Sequence, residues 1–165
     1  MKKTLFFLLS IFYLTQCAFA QDVLDKYSKP TTSVSDFENI FTDQEEAFLN
    51  SAIRIYNQRI DGQIVIITVD EKSTTLEQFD ELTLQIAQKW EIGSANKNNG
   101  ILVGISSGLR MIRIQNGIGI ESKMTDDETK QIIDTVFIPS FKQGQYYKGT
   151  REGLQAIVNH LTNSK

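Results

Sequence analysis

The chain has 165 residues, 41% of them hydrophobic, with 17 lysines and arginines against 20 aspartates and glutamates. This length is typical of one domain with its own buried core. The mildly acidic balance argues against non-specific nucleic-acid binding, which depends on neutralising phosphates, and suits cations better. Cys17 is the only cysteine and lies in the N-terminal leader, so disulfides and thiolate metal sites are not expected in the mature domain.

Residues 1–20 have the pattern of a secretory signal peptide. A cationic start precedes an apolar run over residues 5–14, and small residues follow up to Ala20. The run is too short for a membrane span, so we expect cleavage after Ala20 and a periplasmic or secreted protein. The alternative is a lipoprotein anchored at Cys17, although the bulky Gln16 before that cysteine fits a lipidation signal poorly.

A polar lead-in over residues 21–33 is expected to precede the domain, which we assign to residues 34–162. Thr42 and Glu45 form a capping box, which predicts a helix from this point. The periodicity of the following apolar residues supports that helix, and Gly62 is a typical helix end.

Two apolar β-branched runs flank a second predicted helix. Residues 64–69 and 101–105 read as buried strands, and a capping box at Thr75 predicts the helix between them. Such a βαβ unit has parallel strands and a right-handed crossover. Residues 111–115 follow a short turn and are expected to pair with the second strand in an antiparallel hairpin. The hairpin would add a more exposed strand to the sheet.

The remainder is predicted to be helical, with one aromatic loop. A third capping box at Thr125 begins a helix that Pro139 is expected to limit. Residues 141–149 read as the loop, and the apolar stripe over residues 154–161 predicts a final amphipathic helix. Together the elements predict an α/β fold with helices on both faces of a small mixed sheet. No apolar run in the domain is long enough for a membrane helix.

The predicted hairpin gathers oxygen-bearing residues at one edge of the sheet. The start of its first strand lies beside the end of its second, which assembles Asn98, Asn99, Gly100, Gly117, Gly119, Glu121, Asp126 and Asp127. Carboxylate, amide and backbone oxygens are the ligands that Ca²⁺ prefers, so a divalent-cation site is one interpretation. The other is turn and helix-cap chemistry, because Asn and Gly form turns and carboxylates favour the first turn of a helix.

The ordered set of these segments resembles the TPM-domain family, exported bacterial proteins with relatives in the thylakoid lumen. The segments are, in chain order, Val34-Ser35-Asp36, QIVIITV, Trp90-Glu91-Ile92-Gly93, Lys97-Asn98-Asn99-Gly100, Ile114 to Glu121, Pro139-Ser140-Phe141 and Gly144-Gln145-Tyr146 with Gly149. The likeness runs from about residue 33 to residue 162. It implies a three-layer αβα sandwich.

The resemblance also implies a calcium or other divalent-cation site with ligands from Asp36, Asn98, Glu121, Asp126 and Asp127. Relatives often carry aspartate in place of Asn98, which implies weaker metal binding here. We therefore expect an exported module that binds a divalent cation and assembles with an envelope protein.

The alternative function is a metal-assisted acid phosphatase, as the resemblance implies for some relatives. Arg113 would then assist at the phosphate. No catalytic residue is assigned for this alternative, and His160, the only histidine, is expected on the polar side of the last helix.

Overall fold

The computed structural model describes residues 23–163, and the predicted signal peptide and lipid-anchor cysteine lie outside that range. A single sheet has the strand order β1-β2-β3-β4. The strands are β1 (Val34–Asp36), β2 (Gln63–Thr68), β3 (Gly100–Ser106) and β4 (Met111–Asn116). The first three strands are parallel and β4 is antiparallel to β3, which confirms the predicted βαβ unit and hairpin.

Helices connect and cover these strands. They are α1 (Asp43–Ile60), α2 (Phe79–Lys89), α3 (Ile118–Glu121), α4 (Asp126–Ile132), α5 (Ile138–Phe141) and α6 (Tyr146–Asn163). A 3₁₀ turn covers Glu71–Ser73, and a π-helical stretch over Ile133–Phe137 joins α4 to α5. The capping boxes at Thr42 and Thr125 are both formed, as their sequences predict.

Alternate residues of the buried strands face two separate cores. Ile64 and Ile66 of β2 belong to the core that the sheet forms with α1 and α6. Val65 and Ile67 belong to the core that it forms with α2. Because successive strand side chains point to opposite faces, a continuous apolar strand can serve both helical layers. The fold is therefore the expected α/β sandwich with a mixed sheet.

Three predicted boundaries differ from the structure. Helix α2 begins at Phe79 rather than beside Thr75, because the intervening residues form a turn and Gln78 occupies the N-cap position. Pro139 does not end the preceding helix, because the π-helical stretch Ile133–Phe137 continues directly into α5, where Pro139 lies in the first turn. Helix α6 begins at Tyr146, inside the segment expected to be a loop, so residues 142–145 alone connect α5 and α6.

Part of the polar lead-in packs against the domain. Tyr27 is completely buried in the α2 core, and Val23 and Leu24 pack around it. The indole N–H of Trp90 donates to the Tyr27 carbonyl (3.1 Å). Lys89 binds the Leu24 carbonyl (2.8 Å), so the segment is attached through polar contacts as well as apolar ones. Among residues 23–163, α2 covers this face of the sheet, and the N-terminal segment completes its core.

Candidate functional site

The amino end of β3 and the carboxyl end of β4 lie side by side, as the hairpin predicts. Asn116 pairs with Ile101 in the sheet register. Beyond the sheet, the Gly117 N–H donates to the Gly100 carbonyl (2.9 Å) and the Gly119 N–H donates to the Asn98 carbonyl (3.0 Å). We call this region the amino edge. These backbone groups are therefore hydrogen-bonded to one another without any ligand.

The glycines of the amino edge allow chain segments to approach closely. A Cβ at Gly117 would lie 2.2 Å from the Asn98 carbonyl oxygen, and one at Gly119 would lie 2.0 Å from the Lys97 carbonyl oxygen. Neither distance is possible for a real side chain. The Asn-Gly pattern is thereby explained by backbone packing, in agreement with the turn interpretation.

Four of the five predicted metal ligands lie near this edge and have exposed side chains. Asn98 has the left-handed φ of 46°, which asparagine tolerates better than most residues. Glu121 ends α3, and Asp126 and Asp127 occupy the first turn of α4. Within residues 23–163, none of these four side chains makes a hydrogen bond or ion pair. They share a region of the surface, but no contact assembles them.

Asp36 lies at the opposite end of the sheet. It pairs with Thr68, which pairs with Ile105, and Ile105 lies about 17 Å from Gly100 at ~3.3 Å per residue along β3, so Asp36 is at least that far from Gly100. Its carboxylate is already engaged, because it accepts the Thr68 hydroxyl (2.7 Å) and the Phe41 N–H (2.7 Å). The structure does not bring Asp36 together with the other four predicted ligands.

The donor set does not fit a calcium ion in this arrangement. The described part of the chain contains no group of three or more His, Cys, Asp or Glu side chains that could hold a metal ion. A protein calcium site needs 6–8 oxygen ligands around one point. The backbone carbonyls of Gly100 and Asn98 are occupied by hydrogen bonds from Gly117 and Gly119.

A second polar region lies at the carboxyl ends of the parallel strands, which we call the carboxyl edge. Here the Glu38 carboxylate accepts the backbone N–H groups of Ser107 (2.9 Å) and Gly108 (3.3 Å) and the Ser107 hydroxyl (3.0 Å). The β3–β4 turn is therefore held by a side chain that enters from the β1–α1 connection. Sequence reasoning missed Glu38, because no motif links residues 69 positions apart.

Two carboxylates of this edge have shifted pKa values. Burial raises the pKa of Glu46, and the negative charges of Asp36 and Asp43 raise it further. The Lys72 backbone N–H lowers the pKa of Asp70, with a smaller contribution from the charge of Lys26. Glu46 in α1 is therefore repelled by two neighbouring carboxylates, those of Asp36 and Asp43.

The residues considered for catalysis have structural partners. Arg113 forms an ion pair with Asp80 on α2 (2.6 Å). His160 lies near the Lys123 carbonyl (3.1 Å) and Glu128 (3.5 Å). These contacts give no support to a phosphate site at Arg113.

The protein is thus an α/β sandwich with two separate polar regions, the amino edge and the carboxyl edge. A model of the TPM domain matches residues 34–160, and the chain belongs to the TPM domain family. Members of this family are often exported. A search of functionally curated proteins found no match. Among residues 23–163, no helix combines the length and apolar character required to cross a membrane.

Solved structures show the same fold. The N-terminal domain of a protein from P. gingivalis, determined by NMR, is 26% identical with a TM-score of 0.72, covering 81% of this chain and 84% of that one. The BA42 protein from the psychrophilic bacterium Bizionia argentinensis is 20% identical with a TM-score of 0.67, covering 78% and 86%. The N-terminal domain of the cg2496 protein from Corynebacterium glutamicum is 15% identical with a TM-score of 0.56, covering 81% and 80%.

Proposed function

We propose that this TPM domain is an exported binding module that assembles with a protein of the cell envelope through a groove between α1 and α6. The observation that carries the proposal is the exposure of two large apolar side chains on α1. Phe48 is 53% exposed and Ile55 is 55% exposed. They lie seven residues apart, which places them on one face of the helix. Contiguous exposed apolar surface often marks a site of protein interaction.

The groove beside these residues has a volume of about 490 Å³. Its α6 wall includes Arg151 and Gln155, and the Tyr56 hydroxyl donates to Gln155 (2.9 Å) across the groove. Phe48 also contacts Tyr147 edge-on, with ring centroids 6.2 Å apart. Aromatic rings and arginine are the groups that most often anchor protein interfaces.

The partner we propose is an amphipathic segment that carries apolar side chains and at least one carboxylate. The helical spacing places Arg59 on the same face of α1 as Phe48, Ala52 and Ile55. Arg59 has no ion-pair partner within residues 23–163. Arg151 stands on the opposite wall, 3.6 Å from the Glu152 carboxylate, which also lines the groove. Cations at the margin of an apolar groove favour a partner with complementary negative charge.

A double variant, Phe48→Ser with Ile55→Ser, tests this function. The tagged protein would be crosslinked in its native envelope and the captured proteins quantified by mass spectrometry. We expect one partner to be reduced at least tenfold in the double variant, and a peptide of that partner to bind wild type alone. Leu84→Ser is the matched control, because Leu84 is 39% exposed on α2 in the other helical layer. Equal capture by all three proteins would disprove the proposed groove.

Calcium binding stays a prediction from the family resemblance, although the structure separates Asp36 from the other predicted ligands, Asn98, Glu121, Asp126 and Asp127. Calorimetric titration with Ca²⁺ tests it, and Glu121→Ala should abolish any heat that arises at the amino edge. Absence of heat at millimolar metal would contradict this prediction.

The acid-phosphatase alternative also stays a prediction. Turnover of a chromogenic phosphomonoester that Asp36→Asn leaves unchanged would indicate a contaminating enzyme.

A further inference from the structure

A second cavity opens at the carboxyl edge, between the tip of the β3–β4 hairpin and the connection from α5 to α6. Its volume is about 420 Å³. The lining residues come from both sides and are Ser106, Arg110, Met111, Ile138, Phe141, Lys142, Gly144 and Tyr146. Ligands of open α/β folds commonly bind beyond the carboxyl ends of the parallel strands, and β3 ends here. The cavity is distinct from the α1/α6 groove.

The charged side chains that line this cavity are all basic, although the Glu38 and Glu71 carboxylates lie beside the same β3–β4 turn. Arg110 and Lys142 line it, and its described lining includes no aspartate or glutamate. Neither cation has an ion-pair partner within residues 23–163. In a chain whose acidic residues outnumber its basic ones, two unpaired cations at one cavity favour an anion between them.

The backbone position of Arg110 is unfavourable for arginine. Its φ of 54° is in the left-handed region, where a residue with a side chain costs about 1 kcal/mol relative to glycine. Residues in such conformations cluster at binding sites, where the surrounding structure enforces them.

The turn that carries Arg110 is held firmly. The Arg110 N–H donates to the Ser107 carbonyl (3.2 Å), and Glu38 fixes Ser107 from the β1–α1 connection. Opposite the turn, Phe141 and Tyr146 stack at a tilt, with ring centroids 4.9 Å apart. The cavity therefore combines cations on two separate elements with an aromatic wall and a phenolic hydroxyl.

We propose that this cavity binds a small organic oxyanion with an apolar body. The anionic group lies between Arg110 and Lys142, and the apolar body contacts Phe141 and Ile138. The planar guanidinium can donate two parallel hydrogen bonds to a carboxylate or a phosphate, while the lysine ammonium contributes charge. The two oxyanions share this chemistry, and the choice between them is left to the experiment.

Binding is measured by NMR titration of the protein with three probes of similar size. N-acetylphenylalanine carries a carboxylate, phenyl phosphate carries a phosphate, and N-acetylphenylalaninamide is a neutral control. We expect at least one oxyanion to shift the amides of the β3–β4 turn and the α5–α6 connection, and to bind tenfold more tightly than the amide. Weaker binding at higher salt should accompany it. The tighter oxyanion identifies the ligand class.

Arg110→Gly provides a variant that removes the cation while favouring the turn, because glycine adopts positive φ without strain. We expect its oxyanion affinity to fall at least tenfold while its melting temperature does not fall. Lys142→Gln should weaken binding similarly. Lys148→Gln, which removes an unpaired lysine outside the cavity, should bind like wild type. Equal binding of the amide, absence of binding by both oxyanions, or unchanged affinity in Arg110→Gly would overturn the proposal.

Discussion

The two ends of the sheet are stabilised by different groups. At the amino edge, Gly117 and Gly119 bring backbone against backbone, and the predicted acidic ligands project into solvent. At the carboxyl edge, Asp36 and Glu38 bind backbone N–H groups of other segments. Carboxylates that a family resemblance assigns to one metal site therefore need not lie together in the fold.

The largest expected effect concerns Tyr27, in the N-terminal segment that completes the α2 core. Tyr27→Ala should lower the free energy of unfolding by about 4 kcal/mol, because it removes a fully buried aromatic side chain. Denaturant unfolding measures this change. Tyr27→Phe is the control. The Tyr27 hydroxyl has no hydrogen-bond partner within residues 23–163, and burial raises its pKa. A large loss in Tyr27→Phe would contradict the packing explanation.

Gly119→Ala tests the backbone contact at the amino edge. Its Cβ would lie 2.0 Å from the Lys97 carbonyl oxygen, so two chain segments must separate. We expect a loss of about 3 kcal/mol, the upper range for overpacking. Gly144→Ala is the matched control, since no atom lies within 4 Å of its Cβ position and only its φ of 72° opposes the substitution. Similar losses in both variants would show that the contact is not the cause.

Local sequence patterns predicted much of the fold. Apolar runs marked β2 and β3, and capping boxes at Thr42 and Thr125 marked two helix starts correctly. These features depend on neighbouring residues. Tyr27 depends on Trp90, 63 residues away, and Glu38 depends on Ser107, 69 residues away. Such contacts form only when the chain folds and leave no local pattern in the sequence. The polar composition before residue 34 therefore predicts a lead-in rather than a packed segment.

The site was harder to predict for the same reason. The adjacency of Asn98 and Gly117 follows from the hairpin and was predicted. The position of Asp36 depends on β1, a strand of three residues with too little pattern to recognise. Because β1 is parallel to β2, its last residue lies at the carboxyl edge, away from Glu121. A short sequence motif cannot specify that direction.

Asp36→Ala tests the hydrogen bonds at the carboxyl edge. The variant leaves the Phe41 N–H and the Thr68 hydroxyl without the oxygens they now bind. We expect a loss of about 2 kcal/mol in the free energy of unfolding, which is typical of a buried donor left unsatisfied. Asp36→Asn retains one acceptor oxygen and should lose less. If both variants were as stable as wild type, the carboxylate would be free for another role.

The smallest expected effect is a gain in stability from Glu46→Gln. Burial and the neighbouring charges of Asp36 and Asp43 raise the pKa of Glu46 in the folded protein. The folded state therefore holds the proton more tightly than the unfolded state, and stability falls as pH rises through the raised pKa. Glutamine removes this cost. The variant should gain about 0.5 kcal/mol at pH 7, a magnitude usual for charges near the surface.

The pH dependence distinguishes charge from packing at Glu46. Near pH 4 the carboxyl is protonated in most folded molecules, so the gain from Glu46→Gln should disappear, whereas a packing effect would persist. Glu121→Gln removes one carboxylate from the amino edge, where Glu121 is exposed and has no partner within residues 23–163. It should leave the free energy of unfolding unchanged at both pH values. An equal gain in both variants would mean that overall net charge, rather than repulsion at the carboxyl edge, governs stability.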